Sequence, residues 1–277
     1  MLALFLVACG GPADVTVIHD VQVIHVGAEP PDVEPGQATT LTATIADPLG
    51  GGVEVLAWAC TDLGAGCIED TGQAAVDRVS LRIPVDEQVS FDLVAPASVT
   101  DPDATDTGGM PVDAFVGAWV FACRPGICPQ FDLLRSDPAP GSGDDEALRD
   151  FLADPTAALV DLPVDGVSLA RRRVRVRAPG EAPNGNPALA LADGDPLSLS
   201  VGGETPLEVE LTDETPEALQ LDGATTIGGL APARTDGSSP RFTWFAGDTP
   251  GTGRIYIVAR DGLGGSAVLR ADVEVTP

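Results

Sequence analysis

The chain has 277 residues, of which 42 are acidic and 15 basic, and its formal net charge is −27. So negative a surface repels phosphate backbones, which argues against nucleic-acid binding. The hydrophobic content of 44% supports a packed core. All basic residues are arginine, which excludes Schiff-base and phosphate-loop lysines. The 32 glycines and 25 prolines favour short strands joined by turns.

The first predicted element is an apolar leader that ends in Leu6-Val7-Ala8-Cys9. This pattern resembles the lipobox of bacterial lipoproteins, which implies that residues 1–8 are a signal peptide and that Cys9 becomes the lipidated N-terminus. The leader is short and lacks a cationic start, which predicts a truncated signal peptide, as a start codon assigned too late would leave it. Residues 9–14 are then a flexible lipidated tether. The alternative is a plain apolar N-terminus with an ordinary thiol.

The lipobox resemblance also carries an expectation about location. Durable anchoring requires more than one acyl chain, and bacterial lipoproteins of this kind carry two or three. Gly10 stands where lipoproteins retained at the inner membrane carry aspartate. The resemblance therefore implies a lipid-anchored protein of the outer membrane or cell surface. No later run approaches the 18 apolar residues of a spanning helix.

From residue 15 onward, alternating apolar and polar residues predict β-strands. In the first half of the chain the predicted strands are Val15–Val26, Thr39–Asp47, Val53–Thr61, Val76–Pro84, Gln88–Ala95, Asp113–Cys123 and Arg171–Arg177. The segment Leu56-Ala57-Trp58-Ala59-Cys60, which follows Pro35-Gly36 and Leu41-Thr42-Ala43, resembles strand C of a bacterial immunoglobulin-like domain. The resemblance implies that Trp58 is the core tryptophan. An insertion at about 124–170 contains one predicted helix, at 144–153.

A second domain repeats this alternation after a linker rich in proline and glycine. Its predicted strands include Leu197–Val201, Leu207–Leu211 and Arg241–Phe245, in which Trp244 takes the position of a strand C tryptophan. The Asp261-Gly262 turn predicts a closing hairpin, similar to that of immunoglobulin-like and PKD-like modules. The predicted fold is all-β, with two immunoglobulin-like β-sandwiches in tandem at 15–178 and 187–277 and a linker at 179–186.

Apart from Cys9, the chain has four cysteines, an even number that predicts disulfides in an exported protein. Cys60 and Cys123 lie near the ends of two strands expected to be antiparallel, which places them at opposite ends of the sheet. Local bridges Cys60–Cys67 and Cys123–Cys128 are therefore predicted. A zinc site is the alternative, but its spacings are loose and no histidine is near.

Few residues indicate chemistry. His19 and His25, six residues apart on the opening strand, are interpreted as half-exposed strand histidines rather than as metal ligands or catalytic groups. The arginines of Arg171–Arg177 indicate either an anionic-ligand site or an exposed strand face that offsets the acidic domain, and the second interpretation is favoured. Asp101, Asp103 and Asp106 are weak calcium candidates.

The sequence contains no hydrolase, phosphate-loop or dinucleotide motif. It therefore predicts a non-enzymatic envelope lipoprotein with a structural or binding (adhesive or scaffolding) role. The expected partners are the membrane, through the lipid, and a protein or polysaccharide ligand, with no required cofactor. The alternatives are a calcium-dependent adhesive module and an envelope hydrolase.

Overall fold

The structure is a computed structural model. It describes residues 16–61, 79–83, 88–95, 114–126, 143, 165–192, 194, 197–214 and 216–277. The predicted leader, the lipidated tether and the helix predicted at 144–153 lie outside these residues.

The first β-sandwich consists of two sheets. Its strands are β1 (Gln22–Glu29), β2 (Asp32–Val33), β3 (Ala38–Ala46), β4 (Val53–Thr61), β5 (Val79–Ile83), β6 (Gln88–Val94), β7 (Ala114–Cys123) and β8 (Val167–Val176). One sheet has the order β1-β3-β6 and the other β2-β8-β7-β4-β5. All neighbours are antiparallel except β2 and β8, which run parallel.

Period-two alternation explains the core of this sandwich. In β6 every second residue is buried, so Val89, Phe91 and Leu93 enter the core while the residues between them face solvent. The facing sheet contributes small β-branched and alanine side chains, among them Val55 and Val120. The described core therefore contains valine, alanine, leucine and isoleucine with a single aromatic, Phe91.

At one end of β4 and β7 both faces of the sheet are buried. Leu56 and Phe121 have the opposite parity to the core residues Val55 and Val120, yet they are only 1% and 0% exposed. Trp58 is paired with Trp119 in the register and has the parity of Leu56. The Trp58 side chain is outside the described part of the structure, so its predicted core role stays a prediction.

The second β-sandwich also has two sheets. Its strands are β9 (Ala188–Leu191), β10 (Leu197–Ser200), β11 (Glu204–Thr212), β12 (Gln220–Thr225), β13 (Gly229–Ala231), β14 (Arg234–Asp236), β15 (Arg241–Phe245), β16 (Gly251–Arg260) and β17 (Ser266–Thr276). A 3-10 turn at Pro216–Ala218 precedes β12. The sheet orders are β10-β17-β16-β12-β14 and β13-β15-β11-β9. The closing hairpin predicted around Asp261-Gly262 is β16–β17.

The prediction that Trp244 lies on the strand in the strand C position is wrong. Trp244 lies on β15, which pairs with β11 and β13, whereas the strand beside β16 in the other sheet is β12. Trp244 is nevertheless the central core residue, with 0% exposure, and its indole N–H donates to the Ile227 carbonyl at 3.1 Å. Alternation identifies a strand with a buried face but not the sheet to which it belongs.

The two sheet pairs confirm the predicted fold class of two immunoglobulin-like β-sandwiches in tandem. The opening strand is shorter than predicted, because β1 begins only at Gln22. Before it, Val17 makes an isolated bridge with Thr225 of the second sandwich. The alternation before Gln22 therefore belongs to a contact between the domains. Between β8 and β9, residues 177–187 contain no strand.

Candidate functional site: the interdomain junction

The two sandwiches meet where β1 and the residues before it pack against the outer face of the second sandwich. Ile18, Ala46 and Tyr256 form a small apolar cluster of their own, and they are 3%, 0% and 0% exposed. Full burial of an isoleucine side chain such as that of Ile18 stabilises a contact by roughly 1.5–3 kcal/mol. The cluster is separate from both intersheet cores and belongs to the contact between the domains.

The backbone of the segment before β1 is bonded directly to the second sandwich. The Ile18 N–H donates to the Thr225 carbonyl at 2.8 Å, and the Thr225 N–H donates to the Thr16 carbonyl at 2.8 Å. The Leu230 N–H donates to the Thr16 hydroxyl at 3.1 Å. These bonds fix the N-terminal end of the described chain on the second domain, although it belongs in sequence to the first.

A β-bulge turns His25 toward the second sandwich. Val23 pairs with Ile45 and His25 with Thr44, so Ile24 is an extra residue in β1. His25 is 8% exposed, and its Nε2 lies within hydrogen-bond distance, 2.9 Å, of the Ser266 hydroxyl. The interpretation of His25 as half-exposed is therefore wrong, because strand alternation carries no sign of the bulge. His19 precedes β1 and is exposed, so the two histidines do not share a strand face.

The surroundings of His25 keep its imidazole neutral. Burial, with a smaller contribution from the positive charges of Arg172 and Arg260, lowers the pKa of His25 from 6.5 to about 3. Gly27 is packed against the ring: a Cβ at this position would lie 2.9 Å from the His25 Cε1 atom. The site therefore accommodates an uncharged imidazole ring, and it leaves no room for a side chain at position 27.

Two asparagines of the segment between the domains bond to both of them. Asn186 donates to the Ala28 carbonyl at 2.7 Å and to the Glu29 carboxylate at 2.8 Å, and it accepts from the Ser266 N–H at 2.9 Å. The Asn184 side chain donates to the Asp261 carboxylate at 2.7 Å. Neither asparagine is predictable as a site residue from the sequence, because asparagine in a proline-glycine segment is equally typical of a solvated turn.

Arg175 on β8 and Arg177 directly after it form ion pairs at the junction. Asp32 is 0% exposed and pairs with Arg177 at 3.4 Å and with Arg175 at 4.0 Å, while it accepts from the Asn184 N–H at 3.1 Å. Arg177 also pairs with Glu34 at 2.7 Å. This network attaches the segment between the domains to the first sandwich. The favoured interpretation of an exposed face therefore does not extend to Arg177, whose side chain is only 10% exposed.

Other arginines of the run lie over aromatic rings on the outer face of the sheet. The Arg173 guanidinium lies 4.1 Å from the centroid of Phe115, and that of Arg171 lies 5.1 Å from the centroid of Trp119. Such contacts contribute about 0.5–1 kcal/mol at exposed sites. Both arginines are exposed, as the favoured interpretation of this strand requires.

A cleft of about 630 Å³ opens beside this face, between β7–β8, the interdomain segment and the β16–β17 turn. Its principal lining side chains are Phe115, Arg173, Arg175, Pro183, Asn184 and Leu263. Clefts at domain interfaces, with an apolar lining and a few polar groups, are typical ligand sites. The junction therefore has the form of a binding site as well as that of a rigid contact.

The predicted cysteine sites are only partly within the described chain. Cys9, Cys67 and Cys128 lie outside it, as does the side chain of Cys60. Cys60 pairs with Gly117 on β7, and Cys123 lies six residues farther along that strand. At about 3.4 Å per residue, the separation of Cys60 and Cys123 is about 20 Å, beyond the roughly 7 Å limit for a disulfide. The bridges Cys60–Cys67 and Cys123–Cys128 stay predictions.

The calcium candidates Asp101, Asp103 and Asp106 also lie outside the described residues. Within the part of the chain that the structure describes, no three His, Cys, Asp or Glu side chains are grouped as a metal site requires. In the same residues no helix combines the length and apolar character needed to cross a membrane.

No protein-family model matches the chain, and no curated protein matches it. Similar solved structures include the D0-D1 domain of intimin, 12% identical, over 92% of this chain and 99% of that one, with a TM-score of 0.25. The Ig1-2 module of the Drosophila receptor protein tyrosine phosphatase DLAR is 10% identical, over 94% and 100%, with a TM-score of 0.28. The tandem V-type regions of the chitin-binding protein VCBP3 are 12% identical, over 93% and 98%, with a TM-score of 0.31. TM-scores this low do not support a structural assignment. The immunoglobulin-like assignment therefore depends on the strand order of the chain itself.

Proposed function

We propose that the chain is a lipid-anchored binding module of the cell envelope, in which two immunoglobulin-like domains act as one rigid body. The observation that carries the proposal is the junction, where His25, Asn186 and Thr225 are hydrogen-bonded across the domain boundary. A flexible pair of domains has no need of buried, directional bonds between its members, because such bonds lose their value when the orientation changes. A fixed orientation is useful for presenting one composite surface to a partner.

The proposed site of lipid attachment is Cys9, within the lipobox-like sequence Leu6-Val7-Ala8-Cys9. Thr16 is held on the second domain by its bonds to Thr225 and Leu230. Thr16 lies seven positions after Cys9, and a stretch of this length spans at most roughly 25 Å. A lipid on Cys9 would therefore hold the junction itself, and so both domains, close to the outer-membrane or cell-surface lipid.

The predicted disulfides Cys60–Cys67 and Cys123–Cys128 belong to the same proposal, since they require an oxidising compartment outside the cytoplasm. The register is consistent with them, because it separates Cys60 from Cys123. Mass spectrometry of the unreduced, proteolysed protein provides the test. We expect both local bridges, and cross-linking of Cys60 to any other cysteine would contradict the pairing.

Labelled palmitate tests the anchor directly. The chain is expressed behind a complete lipoprotein leader in a bacterial host, together with the variant Cys9→Ala and the control Cys60→Ala. We expect incorporation into the wild type and the control and none into Cys9→Ala. Label that persists in Cys9→Ala, or a wild type that carries none, would contradict the proposal.

A further inference from the structure

The sheet β1-β3-β6 ends in a strand that is paired on one side only. Within the residues that the structure describes, β6 is hydrogen-bonded to β3 and to no other strand. The opposite edge strand of this sheet, β1, contains a bulge and packs against the second sandwich. The seven residues of β6 instead pair with β3 in one continuous register. An edge strand of this length, without proline, bulge or inward charge, is a template for a further strand.

The bonds of Ala95 identify the backbone groups at the free edge of β6. Ala95, directly after β6, donates to the Gln37 carbonyl at 2.9 Å and accepts from the Gly36 N–H at 3.1 Å. Its polar groups therefore face β3, and backbone groups alternate in direction along an antiparallel strand. The residues of opposite parity direct their N–H and C=O groups away from β3, and they are Gln88, Ser90, Asp92 and Val94. A second strand could bond to these groups without disturbing the pairing of β6 with β3.

Side-chain bonds across β3 and β6 hold the edge strand in place. The Thr40 hydroxyl donates to one carboxylate oxygen of Asp92 at 2.8 Å. The Thr42 and Ser90 hydroxyls lie 2.9 Å apart. A hydroxyl donates one bond and accepts others, so Ser90 accepts from Thr42 when its own proton is given to a further acceptor. The edge therefore presents an ordered backbone together with a donor at Ser90 and an acceptor at Asp92.

One antiparallel register of β6 against a copy of itself uses the whole edge. Its two-fold axis lies at Phe91, so that Gln88 is opposite Val94 of the second copy and Ser90 is opposite Asp92 of the second copy. A two-residue shift in one direction leaves Val94 opposite a residue outside the strand. The same shift in the other direction brings the two Asp92 carboxylates together, where like charges repel. The register centred on Phe91 instead gives the Ser90–Asp92 bond twice, by symmetry.

We infer that β6 is a self-association edge, through which two copies of the chain join their three-stranded sheets into one continuous sheet. The partner is a second copy because the edge complements itself in length, in hydrogen-bonding groups and in charge. A closed two-fold contact uses the outward groups of both strands, so association through this edge stops at the dimer. The inference requires no lipid and does not depend on the proposed function.

The dimer is expected to be weak in dilute solution. Seven residues on each side are fewer than the roughly 20–30 of a standard interface, and each copy has a net charge of −27. A dissociation constant on the order of 100 µM is therefore expected. Salt screens the repulsion between the two acidic copies, so the dimer should become stronger as salt is raised.

Sedimentation velocity of the full chain measures the association. Every sample contains Cys9→Ala, so that acylation cannot contribute, and is studied from about 1 µM to about 500 µM in about 0.05 M and about 0.5 M sodium chloride. We expect a monomer at the lowest concentrations and a monomer–dimer equilibrium at the highest. The dimer fraction should be larger at the higher salt, and species larger than the dimer should be absent.

A proline at position 90 tests the backbone of the edge. Ser90→Pro removes an N–H that points away from β3, so the pairing of β6 with β3 should survive and the dimer should be lost. Circular dichroism and thermal unfolding establish that the variant is folded. A folded Ser90→Pro that dimerises as the wild type does would overturn the inference.

Charge substitutions at the same position test the register. Ser90→Asp brings a second negative charge opposite Asp92 of the second copy and should weaken the dimer about fivefold or more. Ser90→Arg brings a positive charge there and should strengthen the dimer about threefold or more. Ser198→Asp and Ser198→Arg are matched controls, because Ser198 is an exposed serine on the edge strand β10 of the second domain. Both controls should remain within about twofold of the wild type.

The outcomes separate this inference from the proposed function. A wild-type chain that stays monomeric at about 500 µM in both salts would overturn the inference, and so would assemblies larger than a dimer. Equal effects of the substitutions at Ser90 and Ser198 would also overturn it, because net charge alone would then account for the change. None of these results alters palmitate labelling or the rigidity of the junction, which test the proposed function independently.

Discussion

The intersheet cores and the interdomain junction are built from different chemistry. The cores are apolar and redundant, with Leu41, Val55, Trp244 and Ile257 among many neighbours that are nearly inaccessible to solvent. The junction instead combines one small apolar cluster with directional bonds from single side chains such as His25. Apolar burial is non-directional and stabilises each domain, whereas hydrogen bonds fix one orientation. Substitutions should therefore separate stability of the domains from rigidity of the pair.

The largest expected effect comes from the core. Trp244→Ala removes a fully buried ring and should reduce the free energy of unfolding of the second domain by about 3–5 kcal/mol. Chemical denaturation followed by intrinsic fluorescence and circular dichroism measures the loss. Phe245→Ala, at the next residue of the same strand and 38% exposed, is the control and should cost far less. Equal losses would mean that the intersheet core does not dominate the stability of the domain.

The pH dependence of stability tests the junction at His25. The pKa of His25 is about 3 in the folded protein, below its ordinary value of 6.5, so the unfolded chain binds a proton that the folded chain does not. Stability is therefore unaffected above pH 6.5 and falls as the pH drops from 6.5 toward 3. Between pH 7 and pH 5 we expect His25 to account for a loss of about 2 kcal/mol.

Urea denaturation at pH 7 and pH 5 isolates this contribution. His25→Gln removes the titrating group, so the variant should lose less stability than the wild type over this interval. His19→Gln changes the exposed histidine and should behave like the wild type. A His25→Gln variant with the same pH dependence as the wild type would contradict the buried, neutral state of the ring.

A smaller effect on stability is expected at Asn186. Asn186→Ala removes three hydrogen bonds that join the interdomain segment to both domains, at an expected cost of about 1–2 kcal/mol. The more informative change is in orientation, because small-angle scattering should show a broader distribution of interdomain distances. Gln220→Ala, which removes an exposed amide on β12, should change neither quantity. An unchanged distance distribution in Asn186→Ala would show that other contacts suffice to fix the junction.

The sequence predicted much of the cores and little of the junction. A strand such as β6 was predictable, because alternating apolar and polar residues indicate a half-buried sheet with one core face. The sheet to which Trp244 belongs was not, since pairing between distant strands leaves no local pattern. Ile24 gives no sign of the bulge that turns His25 toward the second sandwich. The bonds of Asn186 depend on residues that lie 80 to 158 positions away. Local periodicity does not predict sites formed between domains, because their contacts join residues that are far apart in the sequence.

Residual dipolar couplings of backbone amides test the central claim, that the two sandwiches form one rigid body. In a weakly aligned sample, couplings from β3 and β6 report on the first domain and those from β12 and β16 on the second. We predict that a single alignment tensor fits both sets in the orientation fixed by His25, Ser266 and Asn186. Two tensors of different magnitude or direction, obtained from the wild type at neutral pH, would contradict the account.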